Sequence, residues 1–387
     1  MPLLPWERHL RTVHSPTDWA ENGRGLPLVL LHGKHDGPQR ARAMQRRYKK
    51  LGYPVRLELF PTGHHVWEPG YRGGRAFEIL RHFRRGGQPR RVLFRSGRPR
   101  LARAHWVTIL RFSDYGRWAR VDARVAGRRR VLLRTDNVAA LRLDLPAAYL
   151  ARGRAVALEA DGQRLTLATS RARRVRRVEL RREAGGWALG PPAPLPALAK
   201  RPGLSGPIED IYNDPLVVVY GTGGGQASLL HAVARRLRAP RRRMTLRYPL
   251  VPDRRYSPRR YPGRSLVLVG TEQTNSVLAR LGPRLPIRVS STGVRVGPRR
   301  YTGANVGATF IYPNPEHPGR YLRVVSGTSE LAYKLVRRLP RYLPDFVVYD
   351  EGLDVRPFAP VLGAHRKLLR AGSFDDRWRL PSAANHP

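Results

Sequence analysis

Hydrophobic and polar residues change rhythm twice along the chain. In the first stretch, "PLVLLHG" (27–33) is a continuous apolar run, which predicts a strand buried on both faces. Ala41, Met44, Tyr48 and Leu51 then recur at helical spacing, and Gly52 is a stop signal. "PVRLELF" (54–60) alternates apolar with polar and predicts a second strand; "AFEILRHF" (76–83) reads as a closing helix. Strand, helix, strand of this length is the parallel crossover of an α/β sheet. From about 91 to 195 the runs are short and β-rich, among them "HWVTILRF", "RWARVDARV" and "ALRLDL". Asp161-Gly162 separates two of them and is a hairpin signal, so an antiparallel sandwich or half-barrel is expected. "LGPPAPLPALAKRPG" (189–203) reads as a linker or a wrapping segment. The α/β rhythm then returns in "PLVVVYGTGGGQASLLHAVARRL", "SLVLVGTEQTNSVLARL" and "RYLRVVSGTSELAYKLVRRL", and ends at "DFVVYDEG". The final "FDDRWRLPSAANHP" is expected to be a short docked or frayed tail. Three domains follow: residues 1–90, 91–195 and 196–387.

Composition supports a folded protein: 387 residues, 41% hydrophobic, are enough to bury a sizeable core. With no cysteine, a disulfide framework, a thiolate nucleophile and a Cys-ligated zinc are excluded. No apolar run reaches eighteen residues, so no spanning helix is expected. The first residues, "MPLLPWERHL", lack the basic start and apolar run of a secretory signal, so none is expected in this chain.

Net charge is +45, which ordinarily points to a polyanion partner. Only six of the 73 basic residues are lysines, however, and the arginines are spread along the chain. That skew, with abundant Ala, Gly and Pro, is what a GC-rich coding sequence produces. Non-specific, salt-sensitive polyanion binding is expected in either case. The densest stretches are "RARRVRRVELRR" (171–182) and residues 239–264, where Tyr248, Tyr256 and Tyr261 interleave with arginine. Each is otherwise a solvated, Arg-biased segment.

Candidate chemistry gathers beyond the carboxyl ends of the first two strands. Asp36 lies three residues past Gly33, and His64 four past Phe60. If the strands are parallel neighbours, both loops share one sheet edge. There a carboxylate meets an imidazole, accepts its Nδ1–H and steadies the imidazolium. Two alternatives stand beside this. Asp36, before Gly37-Pro38, suits an N-cap, and His32, His35, His64 and His65 together invite a metal reading, although adjacent histidines suit one ion poorly. Residues 220–230, "YGTGGGQASLL", look like a phosphate-cradling turn. They match neither a Gly-Lys-Ser/Thr loop nor Gly-x-Gly-x-x-Gly, so a flexible turn beside a buried strand is the competing reading.

His32-Gly33-Lys34-His35-Asp36, the crossover helix, and Gly63-His64 resemble the C-terminal end of an α/β-hydrolase catalytic domain, in particular that of the prolyl oligopeptidase family of serine hydrolases. "DWAEN" (18–22), "HWVTILRF", "TDNVAALRL", "GPIEDIYNDPLVVVYGT" and "IYPNPEHPGRYLRVVSG" resemble a bacterial subgroup with a β-rich and then an α/β extension. The resemblance implies an α/β fold: a C-terminal piece of an α/β-hydrolase sheet, an antiparallel β-rich domain and a second small α/β domain. It implies Asp36 as triad acid, His64 as general base, a peptide or ester substrate, and no cofactor. Gly37-Pro38 stands where the family often has Val-Pro. The family's nucleophile is a serine in Gly-x-Ser-x-Gly upstream of the Asp. The only serine before Asp36 is Ser15, in "TVHSPTD", and no serine in the chain has the required glycines. The expectations are therefore the C-terminal part of a longer or split enzyme, a non-catalytic member, or a likeness of fold alone. An arginine-rich polyanion-binding protein or a scaffold is the rival from another class.

Overall fold

The computed structural model describes residues 3, 5–63, 66–84, 86–151, 154–167, 175–238, 246–340, 342–353 and 368–381. The chain is mixed α/β and rich in strand, with both parallel and antiparallel sheets. It divides into two compact units, Thr12–Ala193 and Met1–Arg11 with Pro194–Pro387.

The chain opens with helix α1 (Pro5–Val13). In the Thr12–Ala193 unit, β1 (Leu28–Gly33), α2 (Gln39–Lys50) and β2 (Val55–Phe60) form the expected crossover. The strands pair in parallel from Leu28↔Val55 to Gly33↔Phe60. Ala41 and Tyr48 of α2 are buried, and Met44 and Leu51 pack around Tyr48 and Tyr53, as the helical spacing predicts. Burial on both faces of β1 is not realised. Among the described residues its sheet has two strands, and five of the six β1 residues are half-buried. The closing helix α3 (Arg75–Leu80) ends before His82 and Phe83.

The β-rich part of this unit holds two five-stranded sheets. Its strands are β3 (Arg91–Ser96), β4 (Arg103–Ala104), β5 (Val107–Phe112), β6 (Ala119–Ala126), β7 (Arg130–Asp136), β8 (Val138–Pro146), β9 (Val156–Ala160), β10 (Gln163–Leu167), β11 (Val175–Glu183) and β12 (Gly186–Leu189). The orders are β10-β9-β7-β6-β3 and β12-β11-β8-β5-β4. Alternation puts Val121, Leu133 and Leu158 of one sheet and Ile109, Leu143 and Leu180 of the other into one core. Asp161 (φ 47°) and Gly162 (φ 90°) form the two-residue turn between β9 and β10, both in the left-handed region such turns require. The Asp161 carboxylate accepts from Thr135 N (2.7 Å), Thr135 Oγ1 (2.6 Å) and Trp187 Nε1 (2.9 Å), and pairs with Arg182.

"DWAEN" joins this β-rich part to the segment before β1. The Asn22 side chain bonds both backbone groups of Arg95, Glu21 pairs with Arg120 (2.7 Å), and Trp19 meets Trp118 edge-on.

The other unit is built on a seven-stranded sheet. Its elements are β13 (Leu216–Tyr220), α4 (Ala227–Leu237), β14 (Leu250–Pro252), β15 (Ser265–Val269), α5 (Ser276–Leu281), β16 (Ile287–Ser290), β17 (Gly293–Val296), β18 (Arg299–Thr302), β19 (Gly307–Asn314), β20 (His317–Gly327), α6 (Glu330–Leu335), β21 (Phe346–Tyr349) and β22 (Arg370–Gly372). The sheet order is β14-β13-β15-β20-β19-β21-β22, parallel through β20 and antiparallel beyond. β15 and β21 are fully buried, as uninterrupted apolar strands should be. β16–β18 form a separate antiparallel sheet.

Of the Pro-rich stretch, Ala199 and Lys200 are buried, whereas residues 191–198 are exposed or half-buried. Lys200 Nζ meets Asp345 Oδ2 at 2.7 Å, with both side chains at most 3% exposed. The same carboxylate oxygen accepts from Phe374 N (2.9 Å). Phe374 and Trp378 are buried, so the described part of the tail is docked.

Candidate functional site

The sequence places the candidate site where two parallel strands end, and the backbone there is unusually close-knit. Beyond the last paired residues, Lys34 N donates to Phe60 O (2.8 Å) and His35 N to Thr62 O (3.1 Å). The two loops therefore stay joined past the strands, on one rim of the sheet. Gly33 makes this possible: a β-carbon there would lie 1.7 Å from Gly63 O and 2.6 Å from Thr62 O. Asp36 N closes a turn onto Gly33 O at 3.3 Å, and Gly37 (φ 61°) takes the left-handed conformation that redirects the chain into α2.

Asp36 is exposed at the end of this loop. The capping alternative is not realised, because the N-cap position of α2 is Pro38 and no side chain caps the helix. His64, the predicted general base, and His65 lie outside the described residues; the described chain reaches Gly63, beside Gly33. His32 is half-buried, with Nδ1 2.9 Å from Gly33 O; a carbonyl oxygen only accepts, so Nδ1 carries the proton. His35 is exposed. Among the described residues no three His, Asp or Glu side chains gather as a metal ion would need.

Sequence reasoning missed Glu58. It points from β2 to Arg75 of α3, which grips both carboxylate oxygens at 2.8 and 2.7 Å. The Arg75 hydrogen bonds hold the Glu58 carboxyl below the usual range, with Arg56 adding to the effect. The pair ties α3 to the strand behind the site, and two residues seventeen apart carry no local signal of it.

Around this segment apolar surface is open. Leu26, Trp67, Tyr71, Phe77, Leu80 and Phe83 are six of the twelve large hydrophobics found exposed among the described residues. A cavity of about 420 Å³ lies against the N-terminal ends of both strands, lined by Leu28, Val29, Val55, Ile79 and Phe83 among others.

The glycine-rich turn after β13 is tight because another loop runs against it. Gly223 N donates to Thr274 O (2.9 Å), and a β-carbon at Gly221 would lie 2.3 Å from that oxygen. Asp253, after β14, accepts from Thr222 Oγ1 and Ser276 N, both at 2.7 Å. Burial alone would raise its pKa, but these hydrogen bonds outweigh burial and hold the carboxyl below its ordinary range. The carboxylate thus fastens the loops after β14, β13 and β15.

Of the basic stretches, residues 171–174 and 239–245 lie outside the described residues. Arg177, Arg181 and Arg182 are ion-paired to Asp144, Glu183 and Asp161. Tyr248 is buried, and Tyr256 and Tyr261 stack on each other at 6.1 Å, so these rings are already engaged.

No family model matches the chain, and no curated protein matches it.

Proposed function

We propose that residues 27–83 are the acid–base end of an α/β-hydrolase of the prolyl oligopeptidase type, acting on a peptide or ester. Asp36 is the orienting acid and His64 the general base; the serine comes from a polypeptide segment outside this sequence. The observation that carries the reading is the pair of hydrogen bonds from Lys34 and His35 across to Phe60 and Thr62. They hold the Asp36 loop against Gly63, the residue before His64, as an acid and a base on adjacent loops require. Asp36 is exposed and takes no part in capping α2, which leaves its carboxylate for an imidazole.

Completion from outside is supported by the sheet. Parallel strands are normally covered on both faces and flanked by further strands. Among the described residues the pair stands alone, largely half-buried, in the region richest in exposed large apolar side chains. In the reaction, Asp36 accepts the His64 Nδ1–H and fixes the tautomer. Nε2 removes the serine proton as oxygen attacks the carbonyl, then returns it to the leaving group.

A fluorophosphonate probe tests this. The chain alone should not label. Co-produced with a segment encoded upstream that carries Gly-x-Ser-x-Gly, it should label that serine, and His64→Ala or Asp36→Asn should suppress labelling. Stoichiometric labelling of the chain alone, labelling indifferent to both substitutions, or upstream DNA with no such segment would overturn the reading.

A further inference from the structure

The sheet of β16, β17 and β18 carries an arrangement of like charges that no contact within the protein explains. In its register, Arg288 stands opposite Arg295, and Arg295 opposite Arg300. One step along, Ser290 stands opposite Gly293, and Gly293 opposite Thr302. Ile287, Val289, Val294 and Val296 are buried, so strand alternation puts the arginine row and the Ser–Gly–Thr row together on the other face. Directly opposed residues have β-carbons about 5 Å apart, and like charges so placed repel. Glu272 offsets one of the three: Arg288 Nε reaches Oε1 at 2.6 Å and Nη2 reaches Oε2 at 2.5 Å. Arg295 and Arg300 are exposed and have no carboxylate partner among the described residues.

A cavity of about 350 Å³ opens over this face, lined by all three arginines together with Ser290, Thr292, Thr302 and the Glu272 carboxylate, whose charge Arg288 offsets. Gly293 sits between Ser290 and Thr302, so the floor of the hydroxyl row carries no side chain. That volume falls within the range of small-molecule sites.

We propose that this cavity binds a small molecule bearing a phosphate monoester, with Arg295 and Arg300 gripping the phosphate oxygens and the Thr302 hydroxyl donating beside them; the Ser290 hydroxyl is already engaged, donating to Gly293 O (3.2 Å) and lying 3.1 Å from Thr292 Oγ1. Two unpartnered guanidiniums side by side match a dianion, and their forked donors suit its oxygens. A monocarboxylate would leave one charge without a partner. The cavity is larger than a bare phosphate ion needs and leaves room for an organic group. The site lies in the unit that does not hold Asp36 and is independent of the hydrolase reading.

Calorimetry and thermal unfolding with glycerol phosphate, and separately with inorganic phosphate, test it. Ionic strength is held fixed, because a chain of net charge +45 attracts anions diffusely. The wild type should bind glycerol phosphate saturably at one site, more tightly than inorganic phosphate, with a rise in Tm. Arg295→Gln and Arg300→Gln should each weaken binding at least about tenfold, as loss of a charged hydrogen bond implies. Arg295→Gln should also raise the Tm of the free protein, since it removes the central charge of the row. Arg260→Gln, at an exposed arginine elsewhere, should change neither. Failure of the wild type to bind saturably, or equal weakening in Arg260→Gln, would overturn the proposal.

Discussion

Lys200→Met isolates the buried ion pair and gives a signed, pH-dependent expectation. Lys200 is the one lysine of six that is buried among those described, and its ammonium faces Asp345 at 2.7 Å with almost no solvent on either side. Burial raises the pKa of Asp345, and Lys200 opposes that rise without cancelling it. The carboxyl therefore binds its proton more tightly folded than unfolded. Its contribution favours folding below the unfolded value, about pH 4, and is lost as pH rises through the folded value. Removing Lys200 raises the folded value further. At pH 7 the variant must bury an uncompensated carboxylate or take up a proton, a loss of about 3–5 kcal/mol. For a unit of this size that is about 10 °C in Tm. Chemical denaturation followed by circular dichroism, at pH 7.5 and at pH 4.5, measures the difference. The penalty should be largest at the higher pH and shrink at the lower. Adding Asp345→Asn should recover much of it at pH 7.5, because the amide oxygen still accepts from Phe374 N and no charge remains. A penalty equal at both pH values, or a double variant no more stable than Lys200→Met, would refute the electrostatic account.

Two further expectations concern the other unit. Gly33→Ala places a β-carbon where Gly63 O stands, so the loops must part; hydrogen exchange at the Lys34 and His35 amides should accelerate while the β-rich core keeps its protection. Asp161→Ala removes an acceptor of four groups from a turn residue with positive φ, and should cost about 2–4 kcal/mol in urea unfolding. Asp161→Asn, which tolerates the same backbone and keeps an acceptor oxygen, should cost less than Asp161→Ala.

What the sequence made legible were the features governed by neighbours in the chain. "SLVLV" and "FVVY" are apolar without interruption because both faces are covered, and such runs are visible directly. Asp161-Gly162 announces its hairpin because few residues accept that backbone. The adjacency of the Asp36 and Gly63 loops followed from reading a parallel crossover. What escaped depends on distant partners. β16–β18 are four-residue strands, each arginine-bearing, with no run long enough to register. β20 pairs in parallel on one side and antiparallel on the other, which no local pattern encodes. Lys200 and Asp345 are 145 residues apart. β1 is half-buried despite its apolar run because, among the described residues, its sheet holds two strands, a pairing its own composition does not encode.

The interrupted unit has a consequence for how the protein is made. Trp6, in α1, packs against the core built by residues 204–380, so a helix made before Thr12–Ala193 meets that core only after the intervening unit has been made. All of Thr12–Ala193 leaves the ribosome in between, which at ordinary elongation rates takes about 10–40 s. Trp6 therefore waits without its core while an entire intervening unit folds behind it. Contacts of such high sequence separation place the closing of that unit late, after translation has passed its distal strands.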